Sequence, residues 1–502
     1  MKSVVGSALA LACVFVTAGC ESPVPQALRP SDMPNSFTGP VTAGADVWPK
    51  AEWWQNFKSD EMSDLVVAAQ KDNLDLAVAM ADVLQSQAEY NVARSALFPD
   101  FTLGAAASRS REGKGTVGIT GVGAPSAFTE NSFSVTGNGT YAADIWGLAQ
   151  DNLRAADETL KSSRFAQENV ALTTTASVAN TYLSVLALRE QIALTEKNID
   201  DANRILTITK AKVTNGVSSN LDLAQQEAVV EGQKALLPPL REQEREARFA
   251  LAILLAKTPE SFDVKGQNLD GVAVPQVAPG LPSALLERRP DVAEAEANLA
   301  SAHASVDAAR AAFFPAISLT GSGGTASSTI GTLFQASTME WSIGANALQA
   351  IFDGGKLVGE SDAAKAQQLA LVSTYRKAVL TAFSGVETSL GQVSNYGQEE
   401  EALDAEVKAS SEAFRLSELQ YREGIIELLT LLQTQQTLFT AENQLIQVKL
   451  SRLQSDINLY IALGGGWSEK ADERTQTQTS PTPPEPPTPK EHQWCVLGPI
   501  CI

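Results

Sequence analysis

What the sequence has little of narrows it first. Histidine occurs twice, at His303 and His492, so neither a histidine cluster for zinc nor a nucleophile-base pair can be assembled. Cysteine occurs four times, at Cys13, Cys20, Cys495 and Cys501. Nothing between residues 21 and 494 can therefore form a disulfide or a thiolate metal site. Basic residues are outnumbered, 38 Lys and Arg against 58 Asp and Glu, for a formal net charge of -20. That balance argues against nucleic acid or anionic lipid headgroups as the main partner, since both require basic patches. No resident cofactor or metal is called for, and catalysis has few candidates. A long hydrophobic run is missing too: the apolar stretch at residues 4–16 falls short of the roughly 20 residues that span a bilayer as a helix.

The two ends are nevertheless distinctive. Met1 and Lys2, the short apolar stretch and Thr17-Ala18-Gly19-Cys20 have the layout of a secretory signal with a small-residue cleavage site, giving a signal peptide at residues 1–19. The arrangement resembles a bacterial lipobox, which would make Cys20 the new amino terminus and the carrier of a covalent N-acyl diglyceride. An ordinary secreted protein with a chance cysteine is the other reading. Glu21 stands where Asp would retain an enteric lipoprotein in the inner membrane. Residues 20–59 then read as a lipidated extended segment. At the far end, residues 468–502 turn to Thr, Gln, Glu and Pro, too polar to bury a core, and are predicted to be an extended tail. Cys495 and Cys501 either pair there or are incidental.

Between the ends the chain is written twice. Residues 74–99 align without a gap on residues 290–315, 216 positions later, matching Asp75 with Asp291, Arg94 with Arg310 and Phe98-Pro99 with Phe314-Pro315. Downstream the shift becomes 208, setting Gly216 on Gly424 and Leu223, Val230 and Leu237 on Leu431, Leu438 and Leu445. Duplication of a whole unit explains both shifts. The repeats are assigned to residues 60–280 and 281–467.

Each copy reads as helix, strand, loop, strand, helix, tip, helix. Residues 60–97 and 291–313 contain no Pro or Gly and are predicted as single helices ending at Phe-Pro. Strands are predicted at about 101–111, 132–145, 317–322 and 339–351, with Gly-rich loops at 112–131 and 323–338. In the second strand Phe133, Val135, Gly137, Gly139 and Tyr141 share one parity, and Ser132, Ser134, Thr136, Asn138 and Thr140 share the other. That alternation suits a membrane barrel strand between lipid and water, and equally a half-buried soluble strand.

Long heptad lines follow. Val185, Ile192, Ile199, Leu206 and Val213 recur every seven residues beside the small line Thr195, Ala202 and Thr209; Val407, Phe414 and Tyr421 recur beside Ser410 and Ser417. Coiled-coil packing and the core stripe of a bundle both fit. Residues 170–213 alone would span about 65 Å as helix. Asn215-Gly216 and Gly424 interrupt these lines, as the turns of antiparallel helical hairpins do. Pro238-Pro239 predict a kink or restart in one copy only.

Taken together, Leu285-Leu286-Glu287-Arg288-Arg289-Pro290-Asp291-Val292, Ala309-Arg310-Ala311-Ala312-Phe313-Phe314-Pro315, Phe352-Asp353-Gly354-Gly355, Tyr421-Arg422-Glu423-Gly424 and Leu463-Gly464-Gly465-Gly466-Trp467 resemble the outer-membrane factors. More narrowly, the chain resembles the nodulation-protein-T type of outer-membrane lipoproteins in resistance-nodulation-division efflux systems. The resemblance runs from Cys20 to Trp467. It implies a mainly α chain with a β-barrel part, in which a homotrimer shares a 12-stranded barrel, four membrane strands per protomer. Long antiparallel coiled-coil helices would form an α-helical barrel in the periplasm. It further implies contact with outer-membrane lipid, a periplasmic adaptor, an inner-membrane pump, and a passive exit duct for small molecules.

At the tip, the resemblance implies that Asp222 lies at the constriction and that Tyr421 holds the closed state, with Gly216 and Gly424 as the turns. A solvated helix-start carboxylate is the other reading of Asp222. Thr430 and Gln433 stand where relatives carry aspartates, so the acidic ring is missing or rebuilt; Glu423 and Glu427 are the candidates to replace its charge. A periplasmic coiled-coil scaffold lipoprotein is the alternative function, and it leaves the four strands without a purpose. Arg288, Arg289 and Asp291 are read as capping a helix start rather than as an enzyme site.

Overall fold

The computed structural model describes residues 36–39, 46–112, 128–275, 277–278, 280 and 282–467. The signal peptide, Cys20, most of the first strand loop, and the tail with Cys495 and Cys501 lie outside the described residues.

Strand β1 (Asp46–Val47) and a 3-10 turn, Trp53–Phe57, lead into helix α1 (Asp60–Asp72), whose Ser59 caps the Met62 amide. The single helix predicted over residues 60–97 is in fact two, because Asn73 ends α1 and starts α2 (Leu74–Ser95). Its buried side chain accepts from the Asp75 and Leu76 amides and donates to the Leu254 carbonyl. A capping amide with a distant partner outweighs alanine's helix propensity. After Phe98-Pro99 come β2 (Asp100–Glu112) and β3 (Phe128–Ala143), then α3 (Leu148–Thr214) and the returning α4 (Asn220–Leu254). Short β4 (Val277–Ala278) pairs in parallel with β1, and α5 (Pro282–Leu285) precedes the second set. That set is α6 (Pro290–Ala311), β5 (Ala316–Ser327), β6 (Met339–Leu348), α7 (Lys356–Glu423) and α8 (Leu428–Ala462).

Several strand boundaries differ from expectation. β5 runs on through Gly323 and Gly324, which read as loop, and β3 begins four residues early. Glycine is poor in strand interiors, but here Gly323 is paired on both sides, with Gly137 and with Trp341. The strand predicted to reach residue 351 stops at Leu348, since β5 offers no partner beyond Ala316.

Helix α3 has 67 residues and α7 has 68, each close to 100 Å at 1.5 Å per residue. Each starts after a left-handed glycine, Gly147 and Gly355. Along α3 the small line Thr195, Ala202 and Thr209 is buried, whereas Ile192, Ile199 and Leu206 remain half-buried in the single chain. The expected restart at Pro238-Pro239 does not occur; α4 runs through them. Both prolines are exposed, so the carbonyls they leave unbonded face water.

The main core sits where the hairpins meet the N-terminal segment. Trp53 stacks on Tyr460 at 5.1 Å, and Asn56 donates to the Tyr460 hydroxyl at 3.0 Å. The Gly464-Gly465-Gly466 run, all at positive φ, closes this core: a Cβ on Gly464 would lie 1.8 Å from the Arg288 carbonyl oxygen. Arg289 holds Asp291 through two hydrogen bonds, at 2.8 and 2.5 Å, and donates to the Ala462 carbonyl, as expected of a residue organising a helix start.

Candidate functional sites: an amphipathic sheet and a helical tip

β2, β3, β5 and β6 form one antiparallel sheet in that order. Because side chains alternate, the register fixes its two faces. One row reads Phe101, Gly139, Gly321, Ile343 and the next Leu103, Gly137, Gly323, Trp341. On the opposite face a row reads Thr102, Asn138, Ser322, Ser342, with the last two hydroxyls 2.8 Å apart. The sheet is thus apolar on one side and hydroxyl-rich on the other. Four glycines floor a depression of about 730 Å³ on the apolar side, walled by Phe101, Leu103, Trp341 and Ile343. Phe101 lies over Gly139, where a Cβ would come within 2.9 Å of its ring. Ile343 and Leu103 are 82% and 81% exposed, an arrangement that water penalises and lipid favours.

An aromatic collar marks the junction of sheet and helices. Trp146 stacks on Phe314 at 4.9 Å and donates to the Pro315 carbonyl, and Phe98, just before β2, and Phe352, just after β6, are exposed. Amphipathic rings of this kind suit the boundary between hydrocarbon and water. In the sequence the Phe-Pro pairs read as helix stops, and the collar does not show. Their aromatic content was the available signal.

At the other end the hairpins turn. After α3, Gly216 takes φ 69° and Val217 donates to the Lys212 carbonyl; after α7, Gly424 takes φ 78° and Ile425 donates to the Gln420 carbonyl. Both turns close their helix with the same left-handed cap. Asp222 completes a capping box with Ser219 and also accepts from the Ser218 hydroxyl at 2.5 Å. These bonds, the Ser218 hydroxyl first, hold its carboxyl below the usual range.

Tyr421 is buried at the start of this tip. The Thr209 hydroxyl donates to the Ile205 carbonyl, which leaves the Tyr421 hydroxyl as donor to Thr209 at 3.1 Å; Lys212 lies over the ring at 4.8 Å. Tyr421 packs with Ile205, Phe414, Leu428 and Leu431 in a second core, so it ties α7 to α3. Glu423, Glu427, Thr430 and Gln433 are all exposed and outside that core. A link that the sequence did not suggest lies just above: Arg204 on α3 grips Glu418 on α7 at 2.9 and 3.0 Å and Asp201 at 2.7 Å. Arg204 and Glu418 are 214 residues apart, beyond the reach of any local pattern.

A sheet greasy on one face and hydroxylated on the other, mounted on helices some 100 Å long, defines a protein of the outer-membrane channel class. A family model described as outer membrane efflux protein matches residues 65–257 and 281–465. The pyoverdine export outer membrane protein OpmQ of Pseudomonas aeruginosa is 38% identical over 418 residues, covering 83% of this chain and 87% of that one. The probable efflux pump outer membrane protein TtgC of Pseudomonas putida is 32% identical over 467 residues, covering 92% and 96%. Among solved structures, the Neisseria gonorrhoeae MtrE outer membrane channel in its open state is similar with a TM-score of 0.78 at 28% identity, covering 88% of this chain and 98% of that one. The chain belongs to the outer membrane efflux protein family, and its place is the outer membrane.

Proposed function

We propose that three copies of this chain close one 12-stranded barrel in the outer membrane, continued by their helical hairpins as a periplasmic exit duct. The observation that carries this is the open sheet: β2 and β6, of 13 and 10 residues, have no strand partner on their outer sides among the described residues. An unpaired strand edge in hydrocarbon costs several kcal/mol per group, so the apolar face can enter lipid only in a closed ring. Internal duplication accounts for the design. The β2–β3 pair Asp100↔Thr140 becomes the β5–β6 pair Ala316↔Leu348 under shifts of 216 and 208 residues. The Ser86–Ser163 contact of α2 with α3 is matched within about one helical turn by His303–Gln368 of α6 with α7.

In this reading the duct is passive. A pump of the resistance-nodulation-division type in the inner membrane supplies energy and most selectivity, and a periplasmic adaptor docks on the tip. Cys20 is the lipid-bearing residue. Tyr421 and Gly424 belong to the closed tip with Gly216, and Asp222, Glu423 and Glu427 supply its negative charge in place of the aspartates absent at Thr430 and Gln433. A periplasmic scaffold gives no reason for an apolar sheet face.

Native mass spectrometry of detergent-extracted protein is expected to give a trimer with acyl mass on each chain, and Cys20→Ser a trimer without it. A monomer that needs no detergent once Cys20 is replaced would overturn the reading. For the tip, Asp222→Asn and Glu427→Gln are expected to lower cation selectivity in single-channel recordings. Unchanged selectivity in both removes them from the constriction.

A further inference from the structure

The chain contains one seam that a ring of copies must repeat. Inside the chain β3 pairs with β5 from Phe133↔Ser327 to Ala143↔Ile317, and α3 packs on α6. Thr159 and Ser301 meet at 3.1 Å, and Arg154 reaches Asp307 at 3.7 Å. The corresponding elements taken in the other order, β6 with β2 and α7 with α2, are not partners within one chain.

The duplication supplies the register of the missing seam. Moving β3 and α3 forward by 208 residues gives β6 and α7, and moving β5 and α6 back by 216 gives β2 and α2. On the sheet this sets Ala345 opposite Ala107 of the partner subunit and Ile351 opposite Phe101 of the partner subunit. The parity keeps the apolar face continuous across the seam, which nothing in the shift itself requires. It also gives residues 349–351, left without a strand partner in one chain, a partner in the next. On the helices the same shift sets Lys377 opposite Asp75 of the partner subunit.

Charge agrees with that placement. Arg376 and Lys377 border an open groove of about 470 Å³ along α7 with Ser373, Leu380, Thr381 and Ser384. Both cations are exposed, and among the described residues neither has an ion-pair partner; the exposed Asp75 carboxylate has none either. Leu380 and Leu74, beside them on the two helices, are 52% and 65% exposed and would be covered together.

We propose that Lys377, with Arg376 beside it, pairs with Asp75 of the partner subunit, in a seam between copies whose register is that of the internal seam. This rests on the trimeric reading above. It adds which residues close the helical part of each interface.

In a Cys495→Ser, Cys501→Ser background, oxidation of Asp75→Cys with Lys377→Cys is expected to give covalent dimers and trimers on a denaturing gel. Asp82→Cys with Lys377→Cys, out of register, is expected to give none. Asp75→Lys is expected to lower the temperature at which trimers dissociate in detergent, and adding Arg376→Asp and Lys377→Asp to restore it. Intact wild-type trimers with no in-register crosslink, or with no rescue by the swap, overturn the pairing while leaving the trimer. A wild-type monomer overturns both.

Discussion

At Asp456 burial and charge oppose each other. The carboxyl is 2% exposed, and one oxygen has no hydrogen-bond partner. Loss of hydration pushes it up to about 7; Arg452 pulls it back, and Glu400, itself bonded to Arg452, adds to the rise. A carboxyl raised above its unfolded value is proton-rich in the fold, so stability is greatest below about pH 4 for this group and declines as pH rises toward 7. Asp456→Asn is therefore expected to melt higher than wild type at pH 8 and close to it at pH 4.5, read by thermal unfolding in detergent. Asp222 has the opposite sign: its depressed carboxyl stabilises the first tip above about pH 4 and is lost below that. In the sequence Asp222 reads as a helix-start carboxylate or, by resemblance, as a charge at the constriction. The structure commits the carboxylate to Ser218 and Ser219, a role compatible with either, because the second oxygen keeps its capacity to accept.

Elements were more legible than residues. The Phe-Pro stops, the parity of β3 and the two glycine turns each rest on a local rule, and each appears where the rule puts it. What failed was long-range. Asn73 splits the opening helix because Leu254, far along the chain, accepts from it, and Gly323-Gly324 are strand because neighbours on both sides pair with them. Pro238-Pro239 show the converse, a strong local signal absorbed by an exposed helix face. Proline costs about 3 kcal/mol against alanine inside a helix. Pro238→Ala with Pro239→Ala is expected to raise stability by roughly 1–3 kcal/mol, the shortfall reflecting a helix already adapted to them, as a shift in the urea midpoint.

For the whole molecule, the two faces of the sheet must meet different media, and this makes neighbouring residues differ in kind. An arginine on the lipid face of a barrel costs about 2–4 kcal/mol near the membrane centre, against little on the water face. Ile343→Arg is expected to reduce the folded, membrane-inserted fraction sharply. Ser342→Arg, one residue away, should insert normally and alter conductance instead. Quantifying heat-modifiable protein in outer-membrane fractions separates the two.

The prolines of α4 have a mechanical consequence. α8 has the same 35 residues with neither Pro nor Gly, whereas α4 lacks two ladder bonds and contains Gly232. The outgoing rods α3 and α7 are riveted to each other by Arg204–Glu418 and Tyr421–Thr209. Any load that spreads the tip therefore meets two outgoing rods tied to each other and two return limbs of unequal compliance, and the first hairpin yields before the second.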